Sequence, residues 1–313
     1  MSVANDPQVG PDHSKFKIQV SRLPVDMLLV RTVAEVREWR KRAQRSGERV
    51  ALVPTLGALH EGHISLVAIA RENADRTALS IFVNPLQFGP KEDFSKYPRD
   101  LEGDLARAKH AKVDLVFAPS VAEVYPDPEP AVVVEPVRGA DVLCGASRPG
   151  HFRGVLTVVA KLFGIFTPDV AVFGKKDYQQ LTLIRRMVED LSMPVDIVSG
   201  ATLREAGGLA MSSRNRYLSP TERSQALLLH AALRECEALF ERGERDASVY
   251  RRRLQAIEEH GPTVEYGEVV DPRTLESLDR VKAGAVCLIA ARVGATRLID
   301  NLILPDEELL PSQ

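Results

Sequence analysis

Over the first two hundred residues, short apolar runs and stretches of helical period take turns, and few folds accommodate that order. Val50–Val53 (VALV) is an apolar run closed by Pro54. Ala78–Val83 (ALSIFV), Asp114–Ala118 (DLVFA), Asp169–Phe173 (DVAVF) and Val195–Val198 are further runs of strand length. Between them lie helix-like segments. Val33–Ala43 repeats apolar residues at Val33, Val36, Trp39 and Ala43; Phe152–Phe166 carries Val155, Val158, Val159, Leu162 and Phe163 on one face. His63–Ala74, Leu101–Lys109 and Asp177–Asp190 complete the series. Strands separated by helices pair in parallel, because each crossover returns the chain to the same end of the sheet. The expectation is an α/β unit built on a mostly parallel sheet with helices on both faces.

Past about residue 202 the pattern changes. Ser219–Arg242 is a long helical stretch opened by Ser219-Pro220, an N-cap followed by a first-turn proline. A second helix, Ala247–His260, stops at Gly261-Pro262, and three strand-like runs follow at Val264–Val270, Ala285–Ala290 and Thr296–Ile303. Two helices and then three strands predict a smaller α+β domain. With 313 residues, and about 150 residues per domain, two domains are expected. We divide the chain into a poorly ordered extension (1–25), a first domain (26–202) and a C-terminal domain (203–313).

Composition excludes several functions. Lysine and arginine number 41 against 43 acids, a net charge of −2, so bulk positive charge does not hold this chain on nucleic acid. Cys144, Cys236 and Cys287 are too few and too far apart for a disulfide framework or a zinc cluster. Thiols in a reducing cytosol are the expectation. The N-terminal stretch has no apolar core of a signal peptide. Ala283–Ala291 falls well short of the ~20 apolar residues that span a bilayer. A cytoplasmic enzyme is expected, with no membrane or nucleic-acid partner.

The most informative segment is Pro54–His63 (PTLGALHEGH), which follows a strand and opens a helix. Backbone N–H groups and the positive end of a helix dipole meet a ligand at such a turn. Gly57 and Gly62 allow close approach of a phosphate, and His60 and His63, one helical turn apart, can both donate to its oxygens. Taken alone, the HxGH pattern also fits two solvated loop histidines or a pair of metal ligands. A second element, Ala210–Asn215 (AMSSRN), packs a cation, two hydroxyls and amides into one short stretch. Alone it reads more readily as an ordinary serine-rich turn. Together the two resemble the paired signatures of class I aminoacyl-tRNA synthetases and related nucleotidylyltransferases, which activate a group by attack on the α-phosphate of ATP.

Longer segments resemble the pantoate–β-alanine ligase (pantothenate synthetase) family: Val53–Val67, Ser80–Asp100, Leu143–Gly164, Val172–Leu181 and Gly208–Leu218, in the same order and across nearly the whole chain. The resemblance implies a Rossmann-like first domain and a C-terminal α+β lid domain carrying the MSSR turn. It also implies ATP as substrate, Mg²⁺ dependence and a homodimer. The implied reaction joins pantoate to β-alanine through a pantoyl-adenylate, releasing AMP and pyrophosphate. By correspondence, ATP meets Leu56, Gly57, Ala58, Leu59, His60, Glu61, Gly62 and His63, then Gly174, Lys175, Lys176 and Asp177, then Leu203, Met211, Ser212, Ser213 and Arg214. His63, His60, Lys176 and Arg214 are the implied catalytic residues. Gln87 and Gln180, with Asn84 as a weaker candidate, take pantoate and β-alanine. No protein metal ligand is assigned.

Three positions depart from the family pattern. Leu56 stands where methionine is usual, Lys175 where glutamate is usual, and Gly207 where an acid is usual. The two lost negative charges raise the expected positive potential around the nucleotide. They also motivate one alternative, a nucleotide-binding homologue with altered catalysis; the other alternative is an adenylate-forming enzyme for another small acid on the same scaffold.

Overall fold

The computed structural model describes residues 27–90 and 92–305. The expected N-terminal extension, residues 1–25, therefore lies outside the described residues. The chain runs β1 (Leu28–Val30), α1 (Val33–Arg45), β2 (Val50–Thr55), α2 (Glu61–Asn73), β3 (Arg76–Ile81), α3 (Leu101–His110) and β4 (Leu115–Phe117). Two single turns, α4 (Val121–Val124) and α5 (Cys144–Ser147), precede α6 (His151–Phe166), β5 (Val170–Gly174), α7 (Tyr178–Asp190) and β6 (Asp196–Gly200). Then come α8 (Pro220–Glu241), α9 (Ala247–Gln255), β7 (Thr263–Val270), β8 (Val286–Val293) and β9 (Thr296–Ile303).

The first six strands form one sheet in the order β1-β4-β3-β2-β5-β6, every pair parallel. Strand period explains why helices cover both faces. Val50 and Leu52 of β2 point to one side, into a core with Trp39 of α1, Leu162 and Phe166 of α6, and Ile184 of α7. Ala51 and Val53 point to the other, against Leu66, Val67 and Ala70 of α2 and Ala108 of α3. From β2 the chain moves outward to β3 and β4 and later returns to β2's other side as β5. This places a topological switch point between β2 and β5, and open α/β sheets bind ligands in the crevice beyond the carboxyl ends of such strands.

The last three strands form a separate antiparallel sheet, β7-β8-β9. Cys287, Ile289 and Ala291 of β8 pack beneath Leu229, Leu233 and Phe240 of α8 and Tyr250 and Leu254 of α9. The alternate residues Val286 and Leu288 face the core of the parallel sheet. One strand thus joins the small sheet to the large one.

Most expected elements stand within a few residues of their boundaries. The structure adds β1, a three-residue strand too short to show a period. α2 starts at Glu61 rather than His63 because the His60 side chain is its N-cap, accepting from the Gly62 N–H. β3 runs from Arg76 to Ile81, so Phe82 and Val83 lie beyond its end. The expected helix to His260 is α9 followed by a tighter 3₁₀ turn, Ala256–His260. All three cysteines are buried free thiols.

Candidate active site

The turn after β2 engages its amides from Gly57 to His60 within the protein. The Thr55 hydroxyl donates to the Ser80 carbonyl (2.7 Å) and accepts from the Gly57 N–H (3.2 Å). Asp104, reaching across from α3, accepts from Ala58 N–H at 2.9 Å and Leu59 N–H at 2.6 Å. Gly57 has φ +85°, and a Cβ there would sit 3.0 Å from the Asp104 Oδ2. This corrects the expectation of free N–H groups for a phosphate: the protein's own carboxylate occupies that anion position. Gly57, Ala58 and Leu59 are not on the cavity wall, and Glu61, also off it, pairs with Arg107.

The turn instead presents two imidazoles. His60 Nδ1 accepts from Gly62 N–H (3.2 Å), and His63 Nδ1 accepts from His60 N–H (3.3 Å). An Nδ1 that accepts carries no proton, so each neutral ring holds its proton on Nε2. The rings lie 4.0 Å apart, tilted by 32°. Gly62 is needed for this packing, since a Cβ would come within 2.9 Å of the His60 ring. Burial, and then the charge of Lys176, lower the His60 pKa to about 4; burial, and then His60 itself, lower that of His63 to about 3. At neutral pH both rings are uncharged donors.

The two signatures converge. His60, His63, Leu56 and Gly62 line the same cavity as Gly174, Lys176, Asp177, Leu203, Met211, Ser212, Ser213 and Arg214. Its volume is about 240 Å³, and across Arg148, Lys176, Asp177, Ser212 and Arg214 it adjoins a second cavity of about 460 Å³ between the two sheets. Their combined size suits a nucleotide with a second small substrate. The carbonyls of Lys175 and Lys176 accept from Asn301 Nδ2 (3.0 and 2.8 Å), so β9 holds the turn after β5. Lys176 Nζ stands 3.7 Å from the half-exposed Asp177 carboxylate. In the MSSR turn, Ser212 Oγ accepts from Arg214 N–H (3.2 Å), Ser213 Oγ lies 3.3 Å from the Tyr97 hydroxyl, and Asp93 holds the Arg214 guanidinium.

The other end of the cavity combines amides with an apolar wall. Gln87 and Gln180 face Val155, Val158, Val159 and Leu162 of α6. Asn84 is fully buried behind Gln87, not on the cavity wall. It donates to Gln87 Oε1 (3.1 Å) and to the Gly154 carbonyl (3.0 Å), and accepts from the Tyr125 hydroxyl (3.0 Å). The bond to Oε1 fixes which way the glutamine amide faces and leaves its NH₂ to donate to a ligand. Of the departures, Leu56 lies on the wall, whereas the Lys175 and Gly207 side positions do not. The missing acids are therefore not replaced by cation at the cavity surface. Gly207 has φ +93°, which disfavours a side chain there.

Sequence reasoning missed Tyr97, Arg148 and His151, which also line the cavity, and Asp104, which shapes its floor. Arg148 and His151 fall inside the RPGHFRG stretch, and a paired arginine and histidine ahead of a helix was the available signal. No local signal marks Asp104. Among the described residues no group of three or more His, Cys, Asp or Glu side chains could hold a metal ion. No described helix is long and apolar enough to cross a membrane.

Burial also lowers the His151 pKa to about 4, with Arg148 adding to the effect. Each of the three histidines takes up its proton more readily in the unfolded chain, near pH 6.5. Their contribution to stability is present above pH 6.5 and is lost as pH falls toward 4 and then 3. Melting temperature is expected to fall over this window, and a variant with His151→Gln is expected to fall less steeply. A flat profile between pH 6.5 and 4 would contradict buried neutral rings.

Comparison with known proteins gives consistent findings. The family model described as pantoate-beta-alanine ligase matches residues 28–303. The pantothenate synthetase of a Thermoanaerobacter species is 52% identical over 279 residues, covering 88% of this chain and 98% of that protein. The pantothenate synthetase of Myxococcus xanthus is 50% identical over 286 residues, covering 90% and 97%. Among solved structures, pantothenate synthetase from Thermus thermophilus superposes with a TM-score of 0.84 at 45% identity, covering 89% of this chain and all of that one. A pantoate-beta-alanine ligase from Francisella tularensis, complexed with beta-gamma ATP and beta-alanine, gives a TM-score of 0.74 at 33% identity, covering 88% and 97%.

Proposed function

Because the chain belongs to the pantoate–β-alanine ligase family, we propose that the cavity on which the two signatures converge is where ATP activates pantoate and β-alanine captures the product. The enzyme is an AMP-forming carbon–nitrogen ligase that makes pantothenate from pantoate and β-alanine. The comparisons lend no support to a different acid or to a homologue without catalysis. The observation that carries the site is the convergence of His60 and His63 with Lys176 and the Ser212–Arg214 turn on one cavity.

The first step places a carboxylate of pantoate in line with the α-phosphate. Negative charge builds on phosphate oxygens as the bond to pyrophosphate breaks. The Nε2–H groups of His60 and His63, the Lys176 ammonium and the Arg214 guanidinium are suited to hold that charge. Ser212 and Ser213 add hydroxyl donors. Since the amides of Ala58 and Leu59 are engaged by Asp104, side chains carry most of the phosphate recognition. Mg²⁺ favours phosphate oxygens and water with few protein ligands, and among the described residues the one acidic side chain on the first cavity's wall is Asp177. Asp177 is the residue that would help hold the ion, which when bound would neutralise charge on the pyrophosphate leaving group.

For pantoate, the Gln87 and Gln180 amides address hydroxyl and carboxylate oxygens, while Val155, Val158 and Leu162 accommodate the geminal dimethyl group. In the second step the neutral amine of β-alanine attacks the acyl carbon and AMP leaves. A mixed anhydride hydrolyses, so exclusion of water matters more here than strong acid–base help. We assign that exclusion to the C-terminal segment 203–313 acting as a lid that carries the MSSR turn. Homodimerisation and a cytoplasmic location complete the reading; three free cysteines suit a reducing compartment.

The test is an assay for AMP and amide product with ATP, Mg²⁺, pantoate and β-alanine, each omitted in turn. Product formation that survives without pantoate, or that needs another acid, would reject the assignment. Gln87→Ala is expected to raise the pantoate KM by about tenfold or more, the effect of losing a hydrogen bond to a charged group, with the ATP KM changed far less. Equal shifts in both would place Gln87 outside the pantoate site.

A further inference from the structure

We propose that Glu92 and Asp93, consecutive residues at the cavity rim, are positioning residues that aim one arginine at each end of the cavity. The inference rests on reading that cavity as the ligase site. It assigns a task to two acids that touch none of the three substrates in that reading.

Asp93 holds Arg214 by two bonds, Oδ2 to Nε at 3.0 Å and Oδ1 to Nη2 at 2.8 Å. Two parallel bonds fix the plane of a guanidinium as well as its place. The Tyr97 ring, 5.6 Å from the guanidinium carbon, supports it from the side. With the Nε edge committed to Asp93, the Nη1 edge is the one turned to a phosphate.

Glu92 does the same for Arg148. Its Oε1 accepts from Nε at 2.6 Å and its Oε2 from Nη2 at 2.7 Å. Arg148 Nη1 then lies 2.9 Å from His151 Nε2, and His151 Nδ1 lies 2.8 Å from the Gln87 carbonyl. A carbonyl only accepts, so Nδ1 carries the proton and Nε2 accepts from the arginine. In the chain Glu92–Arg148–His151–Gln87, donation therefore runs outward from Arg148, back to the Glu92 carboxylate and forward through His151 to the Gln87 carbonyl. It ends on the backbone of the glutamine that addresses the small substrates. Arg148 also donates to that carbonyl at 3.3 Å. Neighbouring carboxylates thus serve opposite ends, Asp93 the triphosphate end and Glu92 the pantoate and β-alanine end.

The test compares Asp93→Asn and Glu92→Gln in the full-length enzyme, with KM for ATP, pantoate and β-alanine and the melting temperature of each. An amide keeps one acceptor and turns an N–H donor toward a guanidinium N–H, so it loosens the clamp without emptying the space. Asp93→Asn is expected to raise the ATP KM about tenfold while the other two stay within about twofold. Glu92→Gln is expected to show the reverse split. Asp93→Glu keeps charge and both bonds but shifts the guanidinium by one methylene. It supplies a second variant, expected to raise the ATP KM without a fall in melting temperature. Uniform KM shifts in both amide variants, or lowered melting temperatures with wild-type KM values, would mean that the pairs only secure the chain, and would overturn the proposal. Arg214→Lys separates the two failures. If it raises the ATP KM while both Asp93 variants do not, the positioning role falls and the site stands. If it leaves ATP use intact, the site assignment falls and the proposal with it.

Discussion

Replacing His63 with alanine is expected to lower AMP and pantothenate formation by about 10²–10³-fold, the usual loss when one preorganised donor is removed from a phosphoryl or acyl transition state. The structure makes the donor specific. His63 Nδ1 is taken by the His60 N–H, so the whole effect resides in Nε2–H. Asparagine offers an N–H at a different reach and should restore little. Because the ring is uncharged at neutral pH, with its pKa lowered to about 3, the loss should be nearly constant from pH 7 to 9. Single-turnover AMP release in a correctly folded His63→Ala protein decides the matter. A wild-type rate there would remove His63 from the chemistry. Lys176→Ala is expected to cause a comparable loss, since no other lysine lines the first cavity among the described residues.

The second large effect is expected far from any phosphate. A Cβ at Gly154, in the first turns of α6, would stand 2.1 Å from the Leu86 carbonyl oxygen and 2.6 Å from the Gln87 nitrogen. Both are backbone atoms, so no side chain can swing aside to make room. Gly154→Ala must displace either α6 or the Pro85–Gln87 turn, and overpacking of this kind costs about 1–3 kcal/mol. The same glycine's carbonyl accepts from Asn84, which orients Gln87. The expected result is a melting temperature several degrees lower together with a raised pantoate KM. Parental values of both would show that this contact is looser than the structure has it.

Much of this architecture was legible in the chain because its parallel strands are buried on both faces. Residues such as Val50–Val53 and Val170–Phe173 are apolar without alternation, and that pattern has few homes. The convergence of His60 and His63 with Ser212–Arg214 was also legible, since each lies in a compact signature whose residue types suit a polyphosphate. What could not be read is long-range polar contact. Asp104 lies 46 residues from the Ala58 amide that it accepts from, and nothing about an acid in the first turn of a helix distinguishes it from an ordinary dipole partner. Arg148 and His151 were visible as residues, but their task depends on Glu92 and on the Gln87 carbonyl, which folding alone brings near. Asn84 was misjudged for the same reason: a polar residue at a strand's carboxyl end points as readily into the protein as into a ligand.

The carboxylate lodged under the turn after β2 has a bearing on selectivity. A loop with vacant N–H groups captures whatever small oxyanion is abundant, inorganic phosphate and sulfate included. Here that cradle comes already filled, so a stray ion gains nothing by settling in it. Attraction has to be gathered instead from imidazoles, an ammonium and a guanidinium spread over three separate stretches of chain. Only a molecule long enough to reach all of them makes every contact, which favours an extended polyphosphate over a single small oxyanion.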